Sequence, residues 1–435
     1  MNIINNAFII RILFIFILIV FSSGKSDYDL LLEWGLNNSV EISDKIYIEY
    51  INENNKTVYT KNKIFKDDEI LTIPKTLILN IETALELYGK KAKDLFDIFS
   101  SELKDKSDFY IEQAFLAFIM YKINIKEKSN KKFYKHFQYF FNTFETNFDS
   151  YPIFYTTEQL NLIRQMTLGF LIDNMKQILN EEITILEKKC KQKKINKEDY
   201  YTFRTYSSSK AFNISGHSVI IPFVDMFERH PTKFNCKVIA TDYDIKIVAT
   251  DTVSSRNKLL IKSDTVTNHN ALMYFGMAFE EILDRIENYY VPILNPLLIK
   301  NHEINLKSDS TLIKYLTEFI EIKKRKTEFY FKYLDTYKKL INNFYQKIDN
   351  EELSAYNLIL ENLVTLKEMN ENIKTFVYKI FYTQKDINNI LIIIKTENLI
   401  LEEKIDLMRF IINNLNKKIQ NQKQKNEEEE INFDL

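Results

Sequence analysis

Val219-Ile-Ile-Pro-Phe-Val224 decides how this chain is read, because it brings back strand character after a long stretch written in helical period. Upstream of it, from Glu82 to about Lys194, apolar residues recur at helical spacing, with Phe115, Phe118, Ile119 and Ile123 on one stripe and Leu160, Ile163, Met166 and Phe170 on another. Further upstream, from Trp34 to about Asn80, the pattern alternates instead. Lys45-Ile-Tyr-Ile-Glu-Tyr-Ile51 reads as a strand, Val58-Tyr-Thr60 follows a polar turn, and Ile70-Leu-Thr-Ile-Pro74 stops at proline. Downstream, Val238-Ile-Ala240 and Ile245-Lys-Ile-Val-Ala249 flank the polar turn Asp242-Tyr-Asp244. The fold class this predicts is α+β: a β-unit interrupted by a helical insertion over about 82–200, its two β-segments joining in one sheet system.

Beyond about Glu281 strand signals disappear. Leu312, Tyr315, Leu316, Phe319 and Ile320 carry one helical pattern, and Leu353, Tyr356, Leu360, Leu363 and Val364 another. An all-helical lobe is therefore expected over 281–416, separate from the mixed domain over 26–280. Lys417 to Glu430 is charged and low in complexity, which predicts a frayed helix end or disordered tail over 417–435.

Residues 1–24 are set aside from the fold. Ile12 to Phe21 is a continuous apolar run followed by Ser22, Ser23 and Gly24, the pattern of a secretory signal peptide. Arg11 is the sole side-chain positive charge before that run, so an uncleaved signal anchor is the rival reading. The expected location is the secretory pathway, in the ER lumen or outside the cell, with membrane attachment only if the segment is retained. Cys190 and Cys236 could pair in an oxidising lumen or stay as free thiols.

The 435 residues, 45% hydrophobic and 27% charged, sum to a formal net charge of −1, which argues for a globular chain of two packed units and against a nucleic-acid footprint. His136, His217, His230, His269 and His302 show no metal-ligand spacing with the cysteines, so no metal is expected.

Several motifs in this order resemble those of SET-domain proteins of the Rubisco large-subunit methyltransferase type, a family that includes lysine methyltransferases and an actin-histidine methyltransferase. Lys66-Asp-Asp-Glu69-Ile-Leu-Thr-Ile-Pro74 is similar to its Lys-x-Gly-Glu strand, and Ala114-Phe-Leu-Ala-Phe-Ile-Met-Tyr121 to its first long insert helix. Phe133-Tyr-Lys-His-Phe137 and Tyr151-Pro-Ile-Phe-Tyr-Thr-Thr-Glu-Gln-Leu160 resemble the remainder of that insert. Ser208-Ser-Lys-Ala-Phe212 resembles its Ser-Arg-Ala-Phe, Ile221-Pro-Phe-Val-Asp-Met226 its Val-Pro-Leu-Ala-Asp-Met, and Thr267-Asn-His-Asn-Ala-Leu-Met-Tyr-Phe-Gly276 its Ser-Asn-x-x-x-Leu-x-x-Tyr-Gly. The matches cover roughly residues 30–280. The helical lobe is similar to the family's substrate-binding domain in character only.

The resemblance implies S-adenosylmethionine (AdoMet) as cofactor and methyl transfer to a protein lysine, with histidine the second choice. It also implies a protein or peptide substrate docked by the helical lobe. It places cofactor contacts on Asn55, Lys56 and Thr57, where the family carries Gly-x-Gly, and on Ser209, Lys210, Asp225, Glu228, Arg229 and Asn268. The family tyrosine that faces the reacting methyl falls on Lys262, beside Ser263 and Asp264; Phe275 stands at the second family tyrosine, next to Tyr274. Glu228 and Arg229 replace the Asn-His of active members, with His230 one residue further on. The departures at 55–57, 228–229 and 262 support an alternative, a SET-like pseudoenzyme that binds protein or peptide in the secretory pathway without transferring a methyl group.

Overall fold

The computed structural model describes residues 26–52, 54–124, 131–164, 166–263, 267–283 and 350–433. The expected N-terminal signal segment, Asp264 and the helical pattern around Leu312 to Ile320 lie outside them. The chain forms two compact units: residues up to 148 together with 180–263, and 149–179 together with residues from 264 on.

The first unit opens with helix α1 (Asp27–Asn37), nucleated by a capping box in which Ser26 and Asp29 satisfy each other's backbone N–H groups. Strands β1 (Glu41–Ile42), β2 (Ile46–Asn52), β3 (Asn55–Thr60) and β4 (Glu69–Pro74) follow. Pro74 ends β4, and Asn80 with Thr83 caps the next helix, α2 (Ile81–Tyr88). The insertion continues through α3 (Lys90–Glu102), α4 (Asp108–Asn124) and α5 (Lys131–Phe141). The stripe expected on Phe115, Phe118, Ile119 and Ile123 is a helix buried on every face, since α4 is buried from Ile111 to Ile123 with Glu112, Gln113 and Lys122 included.

Those buried polar groups are matched. α7 (Thr167–Lys188) and α8 (Lys197–Lys210) bring Glu182 and Arg204 together, the guanidinium Nε 3.3 Å from Glu182 Oε2 with both side chains almost fully enclosed. Glu182 also accepts from the Tyr110 hydroxyl and, at 2.8 Å, from the Tyr200 hydroxyl, while Arg204 donates to Gln113 Oε1 at 2.9 Å. Burial, then the neighbouring Glu182 charge, holds both phenols far above their ordinary ionisation range.

The strands after the insertion are β5 (Phe212–Ile214), β6 (His217–Val219), β7 (Glu228–His230), β8 (Cys236–Ala240), β9 (Asp244–Ala249) and β10 (Leu260–Lys262). Six strands form one sheet in the order β1-β4-β9-β8-β10-β7, joined across the insertion by the antiparallel pairing of β4 with β9, Ile73 opposite Ile245. β2–β3 and β5–β6 are separate two-stranded sheets, so the β-segments do not all share one sheet. Nor is Val219 to Val224 one continuous strand. β6 ends at Val219, Pro222 offers no N–H, and Phe223 takes a left-handed backbone (φ 67°) that starts a 3-10 turn over Val224–Met226.

In the second unit, α6 (Thr157–Ile163) stops before α7 begins, which breaks the expected Leu160-to-Phe170 stripe and leaves Phe170 exposed. α9 (Asn268–Phe275) closes on Gly276, and two long helices follow, α10 (Asn350–Ile380) and α11 (Gln384–Phe433). Ile163, Met166, Leu168 and Ile172 pack with Leu272, Val377, Phe381, Ile390 and Ile394 in its core. The charged stretch from Lys417 is not a disordered tail: α11 runs through it to Phe433.

Candidate functional site

Lys56 lies on β3 opposite Tyr50 of β2, and its side chain turns inward. Its ammonium sits 2.5 Å from Asp225 Oδ2 and donates to the Thr143 carbonyl at 2.8 Å; the two charged side chains are 4% and 1% exposed. Asp225 is held in the 3-10 turn after Phe223. Its other oxygen, Oδ1, is buried and has no hydrogen-bond partner among the described residues.

Beside this pair stands Tyr206, from the C-terminal part of α8, with Ser209 and Lys210 following it on the same helix. Tyr206 places its hydroxyl 3.5 Å from Asp225 Oδ2 and stacks on Phe144 at 4.1 Å between ring centroids. Burial, Asp225 and then Glu145 hold the Tyr206 phenol far above its ordinary ionisation range, so it remains a donor. Ser209 donates from its hydroxyl to the Tyr206 carbonyl, and Lys210 pairs with Glu145 at 2.8 Å. Asn54 Oδ1 accepts from the backbone N–H groups of Thr146 (2.9 Å) and Asn147 (3.0 Å). The 143–147 segment is thereby pinned to β3 by Lys56, to the turn before β3 by Asn54, and to α8 by Lys210.

Of the expected residues the structure thus joins Lys56 and Asp225 directly and brings Lys210 to the adjoining 143–147 segment, while Ser209 bonds the Tyr206 carbonyl; it adds Thr143, Glu145 and Tyr206, which sequence reasoning missed. The signal for Tyr206 was present, since it lies three and four residues before Ser209 and Lys210 on one helix. Thr143 and Glu145 carried no local signal.

The other expected residues make the following contacts. Asn55 and Thr57 pair with Asn52 and Glu49 in the hairpin, and neither is among the residues with positive φ, so the ladder accepts a β-branched Thr57 without strain. Arg229 donates to the carbonyls of Lys210 (2.8 Å) and Ala211 (3.1 Å) and lies 4.0 Å from the centroid of the Phe212 ring, closing the end of α8. Glu228 pairs with Lys258 at 2.9 Å. His230 Nδ1 accepts from the backbone N–H groups of Thr232 and Lys233, which makes it part of a polar turn.

Lys262 ends β10 opposite His230, exposed, with its ammonium 5.6 Å from the centroid of the Phe234 ring. Ser263 follows it, buried, its N–H donating to the His230 carbonyl. In the second unit Asn268 is fully engaged by its own surroundings. Its Oδ1 accepts from Phe279 N at 2.6 Å, and its Nδ2 donates to the Phe279 carbonyl and to Thr396 Oγ1. Next to it, His269 pairs with buried Glu397 at 2.9 Å. Tyr274 is exposed on α9 and Phe275 half-buried.

Cys190 and Cys236 are both free and buried. Among the described residues no cluster of His, Cys, Asp and Glu is placed to hold a metal ion, and no helix is long and apolar enough to cross a membrane.

No protein-family model matches the chain, and no curated protein matches it in sequence. Solved structures do match in fold. A crystal structure of the SET domain of LSMT bound to lysine and AdoHcy superposes with a TM-score of 0.61 at 13% identity, covering 91% of this chain and 93% of that one. This chain has the SET-domain fold. Rubisco LSMT bound to sinefungin and monomethyllysine matches with a TM-score of 0.61 and 13% identity, over 91% of this chain and 94% of that chain. Rubisco LSMT bound to AdoMet matches at 0.59 and 13%, over the same shares. The α+β fold with a helical insertion and a helical lobe, expected from the motif order, is therefore the fold observed.

Proposed function

We propose that this chain is an AdoMet-dependent protein methyltransferase acting on a lysine. The observation that carries the proposal is the Asp225 carboxylate, which keeps one oxygen buried and without a hydrogen-bond partner among the described residues while Lys56 and the Tyr206 hydroxyl lie on the other. A buried acceptor without a donor is costly and marks a place for a donor-bearing group. AdoMet carries both an ammonium and hydroxyls to donate and a carboxylate to accept, and the side chains around Asp225 match that set. Asp225 would hold a donor, while Lys56, already on Asp225, and Lys210, already on Glu145, would meet a carboxylate only by sharing those partners. Supporting this, LSMT structures of the same fold are bound to AdoMet, AdoHcy, lysine and methyllysine.

When bound, AdoMet supplies a sulfonium methyl for in-line displacement. The chain's own part is to exclude water and hold charge. Tyr206 and Phe144 wall the site, the 143–147 segment is fixed over it, and a desolvated surrounding lowers the pKa of an amine by disfavouring its charged form. Residues 1–24 we read as the signal that directs the chain into the secretory pathway, and the helical lobe as the part that docks the substrate protein.

One observation favours a second reading. The end of β10 presents the exposed Lys262 rather than a phenol, which suits a SET-fold protein that binds its partner without methyl transfer. Incubating the chain with radiolabelled AdoMet and lysine-rich proteins tests the choice. Label in protein lysines supports the methyltransferase, while AdoMet binding without any transfer supports the second reading.

A further inference from the structure

Glycine is the least favourable residue inside a helix after proline, yet Gly35 stands in the last turn of α1. Space explains it. A Cβ at Gly35 would lie 2.5 Å from Cζ and 2.9 Å from Cε2 of the Phe223 ring, which is itself completely buried. The helix backbone and the ring are in direct apposition, which only a residue without a side chain permits.

Phe223 is also, among the described residues, the aromatic one with a positive φ, at φ 67° and ψ −29°. A large side chain holds such a backbone only when its surroundings fix it there. The chain immediately upstream is tied by the reciprocal Leu79–Ile220 backbone hydrogen bonds, both 2.9 Å. Immediately downstream, Met226 N donates to the Phe223 carbonyl at 3.2 Å and closes the turn that carries Asp225. The ring is the pin about which that turn is made.

We infer that Gly35 is a positioning residue for Asp225, acting through Phe223: the bare face of α1 seats the ring, the seated ring sets the left-handed turn, and the turn aims the carboxylate at Lys56. This deepens the reading of Asp225 as the group that holds AdoMet and rests on it for its functional meaning. The geometry itself is tested without AdoMet.

The test is a double-mutant cycle on the full chain, using Lys56→Met and Asp225→Asn, with the Lys56–Asp225 coupling read from denaturant unfolding. It is repeated in Gly35→Ala, in Phe223→Leu and in the Gly35→Ala/Phe223→Leu combination. The expected result is that each single change weakens the coupling at least tenfold, one by displacing the ring and one by leaving its seat part-empty. The combination, whose volumes compensate, recovers most of it. A purely structural role would lower overall stability and leave the coupling unchanged; that outcome in either single variant overturns the inference. Should Gly35→Ala not fold, the Phe223→Leu cycle alone decides by the same criterion. Titrating AdoMet into the same variants separates the two claims: coupling that shifts as expected in a protein that binds no AdoMet leaves the positioning role standing and removes the cofactor reading.

Discussion

The Lys56 ammonium and the Asp225 carboxylate meet at 2.5 Å, 4% and 1% exposed, at the place where the β2–β3 hairpin faces the turn after β6. Removing one member leaves the other charge buried and alone, which costs about 3–5 kcal/mol, whereas replacing both by apolar groups of similar size is near neutral. Asp225→Asn and Lys56→Met are each expected to lower the urea midpoint strongly. The Lys56→Met/Asp225→Leu combination is expected to recover most of the loss.

Gly276 ends α9 in the left-handed region at φ 63°, and a Cβ there would lie 2.8 Å from the Tyr151 ring. Gly276→Ala therefore carries both a backbone penalty of about 1–2 kcal/mol and a clash. Thermal unfolding should show a drop of several degrees. Adding Tyr151→Leu should relieve the clash and return part of that drop; no recovery would mean that the ring contact is unimportant.

Burial pushes the Cys236 thiol up to about 12, and burial with the nearby Glu102 pushes Cys190 up to about 11. Folded values above the unfolded one mean that this stabilisation is complete below the ordinary thiol pKa. It is lost as pH rises from there through the folded values, because the unfolded thiols ionise first. The urea midpoint of the wild type should therefore fall more steeply between about pH 9 and 11 than that of the Cys190→Ala/Cys236→Ala variant. At pH 8 a thiol-specific reagent should label neither cysteine quickly in the folded chain, and both at once in denaturant.

The β-segments were legible in sequence because alternation in Lys45–Ile51 and Ile245–Ala249 is a local property of half-buried strands. The break at Pro222–Phe223 was not, since a left-handed phenylalanine depends on the seat that Gly35 provides from a distant helix. Continuous burial of α4 was likewise hidden, because Glu112, Gln113 and Lys122 read as a polar face until their partners are known. At the site, Ser209, Lys210 and Asp225 were pointed to by the resemblance of their motifs to the SET family, whereas Glu145 and Thr143 come near only through the path of the 143–147 segment. Asn268, expected from its motif, bonds Phe279 and Thr396 in the second unit.

Calorimetric titration of AdoMet into the purified chain tests the central claim most directly, with Asp225→Asn as the paired sample. The account predicts saturable binding in the micromolar range and a loss of about tenfold or more when Asp225 loses its charge. A folded chain that takes up no AdoMet would contradict it, as would one whose affinity is the same with asparagine at that position.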